Sequence, residues 1–153
     1  MEALNIISLI LAIASMGFSI LTYVLSVLHE KKKATLDAYN ILQEQALDTI
    51  NHYQTTDIKD ISEDVKSQEY KKISTILARI EHFCVGVNSR IYDKKTVKLL
   101  AGRYIIWLYE RLEPMIMKKR KINTFDKHYS EFEKLVKELR KMYKEKTKKK
   151  TVQ

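Results

Sequence analysis

From Ala3 to Leu28 the chain reads ALNIISLILAIASMGFSILTYVLSVL, 26 residues without one charged side chain. As an α-helix this run is about 39 Å long at ~1.5 Å per residue, enough to cross a hydrocarbon core of ~30 Å with some tilt. It reads as a membrane span. A cleavable signal peptide is the usual rival, with a basic n-region, a short apolar stretch and a small-residue cleavage site. Here the only charge before the run is Glu2, and the apolar run continues well past Ala12 and Ala14, the one A-x-A match. Lys31, Lys32 and Lys33 follow the span directly and no Lys or Arg precedes it. Because basic residues are retained on the cytoplasmic side, the expected protein is single-pass in the inner membrane, with its N-terminus outside and residues 31–153 in the cytoplasm.

Within the span, Ser8, Ala12, Ser15, Ser19, Thr22 and Ser26 recur at intervals of three and four, which places them on one helical face. Helices in lipid associate through close packing at small residues and through hydroxyl hydrogen bonds, so this stripe is the expected self-association face and implies a homo-oligomer. The competing reading has each hydroxyl bonding back to a carbonyl of its own helix.

Beyond the span the chain is strongly basic. All 28 Lys and Arg lie after Glu30, against 17 of the 19 acidic residues once Glu2 and Glu30 are set aside, a balance of +11. For a tethered domain the nearest polyanion is the lipid of the inner leaflet, at ~1 kcal/mol per well-placed basic residue. Lys31, Lys32 and Lys33, with Lys146, Lys148, Lys149 and Lys150 of the tail, are the expected contacts. Nucleic acid is the alternative partner, since charge does not separate the two polyanions. Cys84 stands alone, which excludes an intrachain disulfide and a multi-cysteine zinc site.

Only Gly86, Gly102 and Pro114 interrupt the part beyond the span, so nearly all of it must be helix or short turn. Leu36, Tyr39, Leu42, Ala46, Ile50 and Tyr53 continue the first helix out of the membrane as a stalk. Gln54 to Ser67 is polar and acidic and reads as a loop. Tyr70, Ile73, Leu77, Ile80, Cys84 and Val87, widened by Ile76 and Phe83, mark the central helix over about 65–89. A turn over Asn88 to Asp93 follows, with Asp93 as N-cap. The next helix carries Val97, Leu100, Tyr104, Trp107, Leu108 and Arg111 on its expected core face, and Pro114 kinks or restarts it without ending it for long. A last helix from about Asn123 sets Phe125, Tyr129, Phe132, Val136, Leu139 and Tyr143 at helical spacing, before a solvated KEKTKKK tail. The fold class is therefore all-α. A single transmembrane helix over 3–28 precedes a cytoplasmic bundle of about four helices over 31–145 and a basic tail over 146–153.

Three stretches carry a family resemblance: RIEHFCVGVNSRIYD (Arg79 to Asp93), LAGRYIIWLYERLEPMIMKKR (Leu100 to Arg120) and YSEFEKL (Tyr129 to Leu135). Together they resemble a bacterial domain-of-unknown-function family of small proteins with one N-terminal span and a cytoplasmic helical domain. The resemblance implies fold and membrane attachment and no reaction. By analogy with other small bacterial membrane proteins it suggests an effector in defence against phage.

Among individual residues, Arg79, Glu81, Arg90, Asp93 and Arg120 are the candidate site for a protein partner or small-molecule signal, against the reading that they form ion pairs between helices. Trp107 with Tyr104 and Tyr109 offers a stacking surface, although aromatic groups at helical spacing are more often core. His29, His52, His82 and His128 have no metal-ligand spacing, and no H-E-x-x-H, P-loop, G-x-S-x-G or C-x-x-C is present. Arg120 and His128 enclose seven residues, outside the R-x(4 to 6)-H spacing of the helical nucleotide-binding ribonucleases that such a bundle resembles. The expectation is a non-enzymatic protein with no cofactor and no metal.

Overall fold

A computed structural model describes the backbone of residues 2–122 and 127–150 and the side chains of residues 5–54, 56–122 and 127–144. Among these, all regular structure is helical. Helix α1 spans Glu2–Leu42, 41 residues and about 61 Å at ~1.5 Å per residue. It is long and apolar enough to cross a membrane. Every side chain from 5 to 30 is exposed, so the bundle covers none of the apolar run.

The same helix then becomes part of the core without a linker. Thr35 is fully buried; its hydroxyl donates to the Lys31 carbonyl at 2.7 Å and accepts the Asp93 amide at 2.7 Å. Thr35 thus takes the inward position expected of Leu36, which is exposed. After Leu42 the helix widens into one π-helical turn, Gln43–Leu47, and resumes as α2, Asp48–Asn51. The residue absorbed by this wider turn lets Leu42, Ala46, Leu47 and Ile50 all face inward.

The expected loop over Gln54 to Ser67 is corrected by the structure, because most of it is a further helix, α3, Thr55–Glu63. The Gln54 amide donates to the Asp57 carboxylate at 2.6 Å, half of a capping box, and Ile58 is fully buried. One apolar anchor and a cap suffice here, since α3 packs along α5.

Helix α4, Gln68–Asn88, is the centre of the bundle. The Ser67 hydroxyl caps it by accepting the Tyr70 amide at 3.0 Å. All eight side chains of the expected face are buried. Helix α5, Lys94–Ile122, runs on through Pro114, and Asp93 caps it by accepting the Thr96 amide at 2.8 Å. Its core face is rotated from expectation. Val97, Ala101, Ile105, Leu108, Leu112 and Met115 are buried, whereas Leu100 and Trp107 are exposed. The reason is close packing at a small residue: a Cβ on Gly102 would lie 2.5 Å from the Tyr143 hydroxyl of α6, so α6 seats against Ala101 and Gly102.

Helix α6, Ser130–Lys150, starts later than expected; Asn123 and Phe125 lie outside the described residues. Its backbone remains helical into the basic tail. Phe132, Leu135, Val136 and Leu139 are buried against α4 and α5.

Candidate functional site

A groove of about 690 Å³ lies between the emerging half of α1 and α4. Ala34, Ala38 and Ala78 leave the space, and Ile41, Leu42 and Phe83 make the lining mostly apolar. Asp37, Gln45, Arg79 and His82 add polar groups. At one end Tyr92 stacks on Phe83 with ring centroids 5.5 Å apart. That stack needs Gly86, where an added Cβ would lie 2.3 Å from the Tyr92 ring. Beside it, burial pushes the Tyr39 hydroxyl above its ordinary pKa. Toward the other end Arg79 Nη1 donates to the Gln45 carbonyl at 3.2 Å and to its side-chain oxygen at 3.1 Å. Arg79 thereby supports the π-helical turn, a kind of distortion often found at functional sites. Periodicity did not single out the groove, because small residues on two helices far apart in sequence leave no local pattern.

The five candidate site residues do not converge. Arg79 serves the π turn. Glu81 caps α6: its two carboxylate oxygens accept the amides of Glu131 at 3.0 Å and Phe132 at 2.8 Å. A helix N-terminus presents unpaired donors and a partial positive charge, so a carboxylate from another helix is well matched to it. Arg120 closes the α5–α6 junction at the same end of α6, donating to the His128 carbonyl at 2.9 Å and to Glu133 at 2.8 Å. Asp93 is the α5 cap. Burial raises its carboxyl pKa, but hydrogen bonds from Thr96 and the nearby Lys31 and Lys32 outweigh it and leave the group below the ordinary value. Arg90 is exposed and sits in the left-handed region at φ 64°.

Trp107 is a correction to the expected aromatic core, being 39% exposed. Its own helix flanks it, with Tyr104 stacked at 5.3 Å and the Arg111 guanidinium 4.8 Å above the ring. Tyr109, by contrast, is buried edge-on against Phe132 at 5.1 Å. Among the described residues, no three His, Cys, Asp or Glu side chains gather into a group able to hold a metal ion.

On the span face, the hydroxyls of Ser8, Ser19 and Thr22 donate to the carbonyls of Asn5, Ser15 and Phe18, each at 2.9 Å. Those three follow the back-bonding pattern, and each oxygen keeps acceptor capacity toward another helix. Lys31, Lys32 and Lys33 lie on α1 just beyond the apolar run; the side chains of Lys146, Lys148, Lys149 and Lys150 lie outside the described residues.

The architecture defines an all-helical protein whose one long apolar N-terminal helix continues into a bundle carrying a mostly apolar groove. A family model for a domain of unknown function, DUF4760, matches residues 5–139. The chain belongs to that family. No curated protein and no solved structure gives a significant match.

Proposed function

We propose that the protein is a single-pass membrane protein whose bundle, on the cytoplasmic side, is a binding module for a protein partner or a small-molecule signal, and whose span self-associates. The observation that carries this reading is the continuity of α1. Residues 5–28 present an apolar surface that no part of the bundle covers, and the same helix and its π-helical continuation supply Thr35, Leu42, Ala46 and Ile50 to the core. A rigid connection of this kind transmits a change of position at one end to the other, provided that a ligand binds one arrangement better. The α1–α4 groove is the candidate binding surface, because α1 forms one of its walls.

The test is to express the full-length chain and follow crosslinking in native membranes beside the double variant Ser15→Leu, Ser19→Leu. Both changes make the span more apolar, so insertion persists while the crosslinked ladder weakens. An unchanged ladder would remove self-association from the proposal. Loss of the chain from the membrane on alkaline extraction would remove the span itself. In the effector form of the reading, induction of the native chain depolarises cells and the double variant does not.

A further inference from the structure

The turn between α4 and α5 is held close to where α1 leaves its apolar run. The Asp93 amide donates to the Thr35 hydroxyl, and Thr35 lies seven residues, or about 10 Å, beyond Leu28. A ~39 Å apolar run crossing a ~30 Å core is tilted, which shortens that ~10 Å to about 8 Å along the membrane normal. A chain spanning with α1 therefore carries this turn at the outer edge of a polar headgroup layer roughly 5–8 Å thick. Lys31 and Lys32 stand near enough to favour the ionised Asp93 carboxylate.

The composition of the turn suits that depth. Ile91 is 63% exposed, and Arg90 and Lys95 on either side are exposed too. An exposed aliphatic side chain between two basic ones matches the polar side of a membrane interface, where the basic groups meet phosphates. The backbone adds a second argument. Arg90 closes α4, its amide donating to the Val87 carbonyl at 3.2 Å while the Tyr92 amide donates to Gly86 at 3.1 Å. This is the left-handed position after a helix that glycine usually fills. An arginine with φ 64° is strained there, and strain at an exposed basic residue points to a role other than folding.

We infer that Arg90, Ile91 and Lys95, beside Lys31 and Lys32, form a docking surface for anionic phospholipid headgroups that fixes how the bundle sits on the membrane. The inference rests on the membrane-spanning reading of α1. Docking holds the turn down and fixes which way the α1–α4 groove faces, since Tyr92 belongs to both.

The experiment uses the full-length chain with an environment-sensitive fluorophore at Ile91→Cys, compared with Lys59→Cys on α3. The Lys118–Glu63 ion pair places α3 beside the far end of α5. Native Cys84 is buried and stays unlabelled. In phosphatidylglycerol-rich vesicles the label at 91 shifts to the blue relative to phosphatidylcholine vesicles, and the label at 59 does not. The ratio of docked to undocked chains falls about five-fold for each basic residue removed, so Arg90→Glu with Lys95→Glu abolishes the lipid difference. Arg90→Gly, which relieves the backbone, weakens docking without loss of fold. Identical behaviour of the two labels in a chain that resists alkaline extraction overturns the docking surface alone. Release by alkaline extraction overturns the spanning reading beneath it. A shift with duplex oligonucleotide and none with phosphatidylglycerol overturns lipid in favour of nucleic acid.

Discussion

Glu81 joins α4 to the start of α6 through two charge-assisted hydrogen bonds. Glu81→Ala should cost about 2 kcal/mol, the loss of a good cap with two amides left to find water; Glu81→Gln should cost less because one acceptor remains. Thermal unfolding of the chain in nanodiscs measures both. Glu133 gives a pH dependence. Hydrogen bonds from Lys137 and Arg120 hold its carboxyl below the ordinary 4.5. A carboxyl lowered on folding stabilises above its unfolded value and loses that contribution as pH falls through the folded value. Stability should therefore drop below about pH 4.5, and Glu133→Gln should flatten that part of the profile. Cys84 is fully buried, and burial raises its thiol pKa well above 9.0. A thiol reagent should leave it untouched in the folded chain and label it on unfolding; prompt labelling of the native chain would contradict the packing of α4. The sequence allowed an ion pair between helices, which Arg120 makes with Glu133; the roles of Glu81 at the α6 start and of Arg79 at the π turn were not legible, because their partners lie on other elements.

At the scale of elements, the legible features were those with local chemistry. Helix α4 could be read from eight apolar positions at helical spacing, and the α5 start from Asp93 three residues before Thr96. The continuation of α5 through Pro114 could also be read, because Met115 and Ile116 resume the core face. What escaped was geometry that two elements decide together. Helix α3 carries little beyond Ile58 and Ile61 to mark it among its charges. The π turn is invisible to a spacing of three and four that tolerates one extra residue. The rotation of α5 follows from Gly102 meeting Tyr143 across the helix pair. The same logic yields a prediction for Gly86. Alanine gains helix propensity of about 1 kcal/mol, yet its methyl meets the Tyr92 ring, and overpacking costs about 1–3 kcal/mol. Gly86→Ala should destabilise in denaturant unfolding, and replacing Tyr92 with Leu in that background should recover part of the loss.

For the molecule as a whole, the decisive feature is one helix with two environments. Its first part presents only apolar and weakly polar side chains to its surroundings, and its last part closes a bundle of otherwise basic, water-compatible exterior. The apolar run, its length, its flanking lysines and the unbroken continuation of the helix as a stalk were legible in sequence, whereas the seating of that stalk in the bundle core emerged only from the buried Thr35 and its bond to Asp93. The central claim is that α1 crosses the membrane and leaves the bundle in the cytoplasm. The most direct test is labelling with a membrane-impermeant maleimide of two variants, Glu2→Cys and Lys121→Cys, with buried Cys84 silent in both. Labelling of Glu2→Cys in intact cells, and of Lys121→Cys only after lysis, is the predicted result. Labelling of Lys121→Cys in intact cells would contradict a cytoplasmic bundle, and release of either variant by alkaline carbonate would contradict the span.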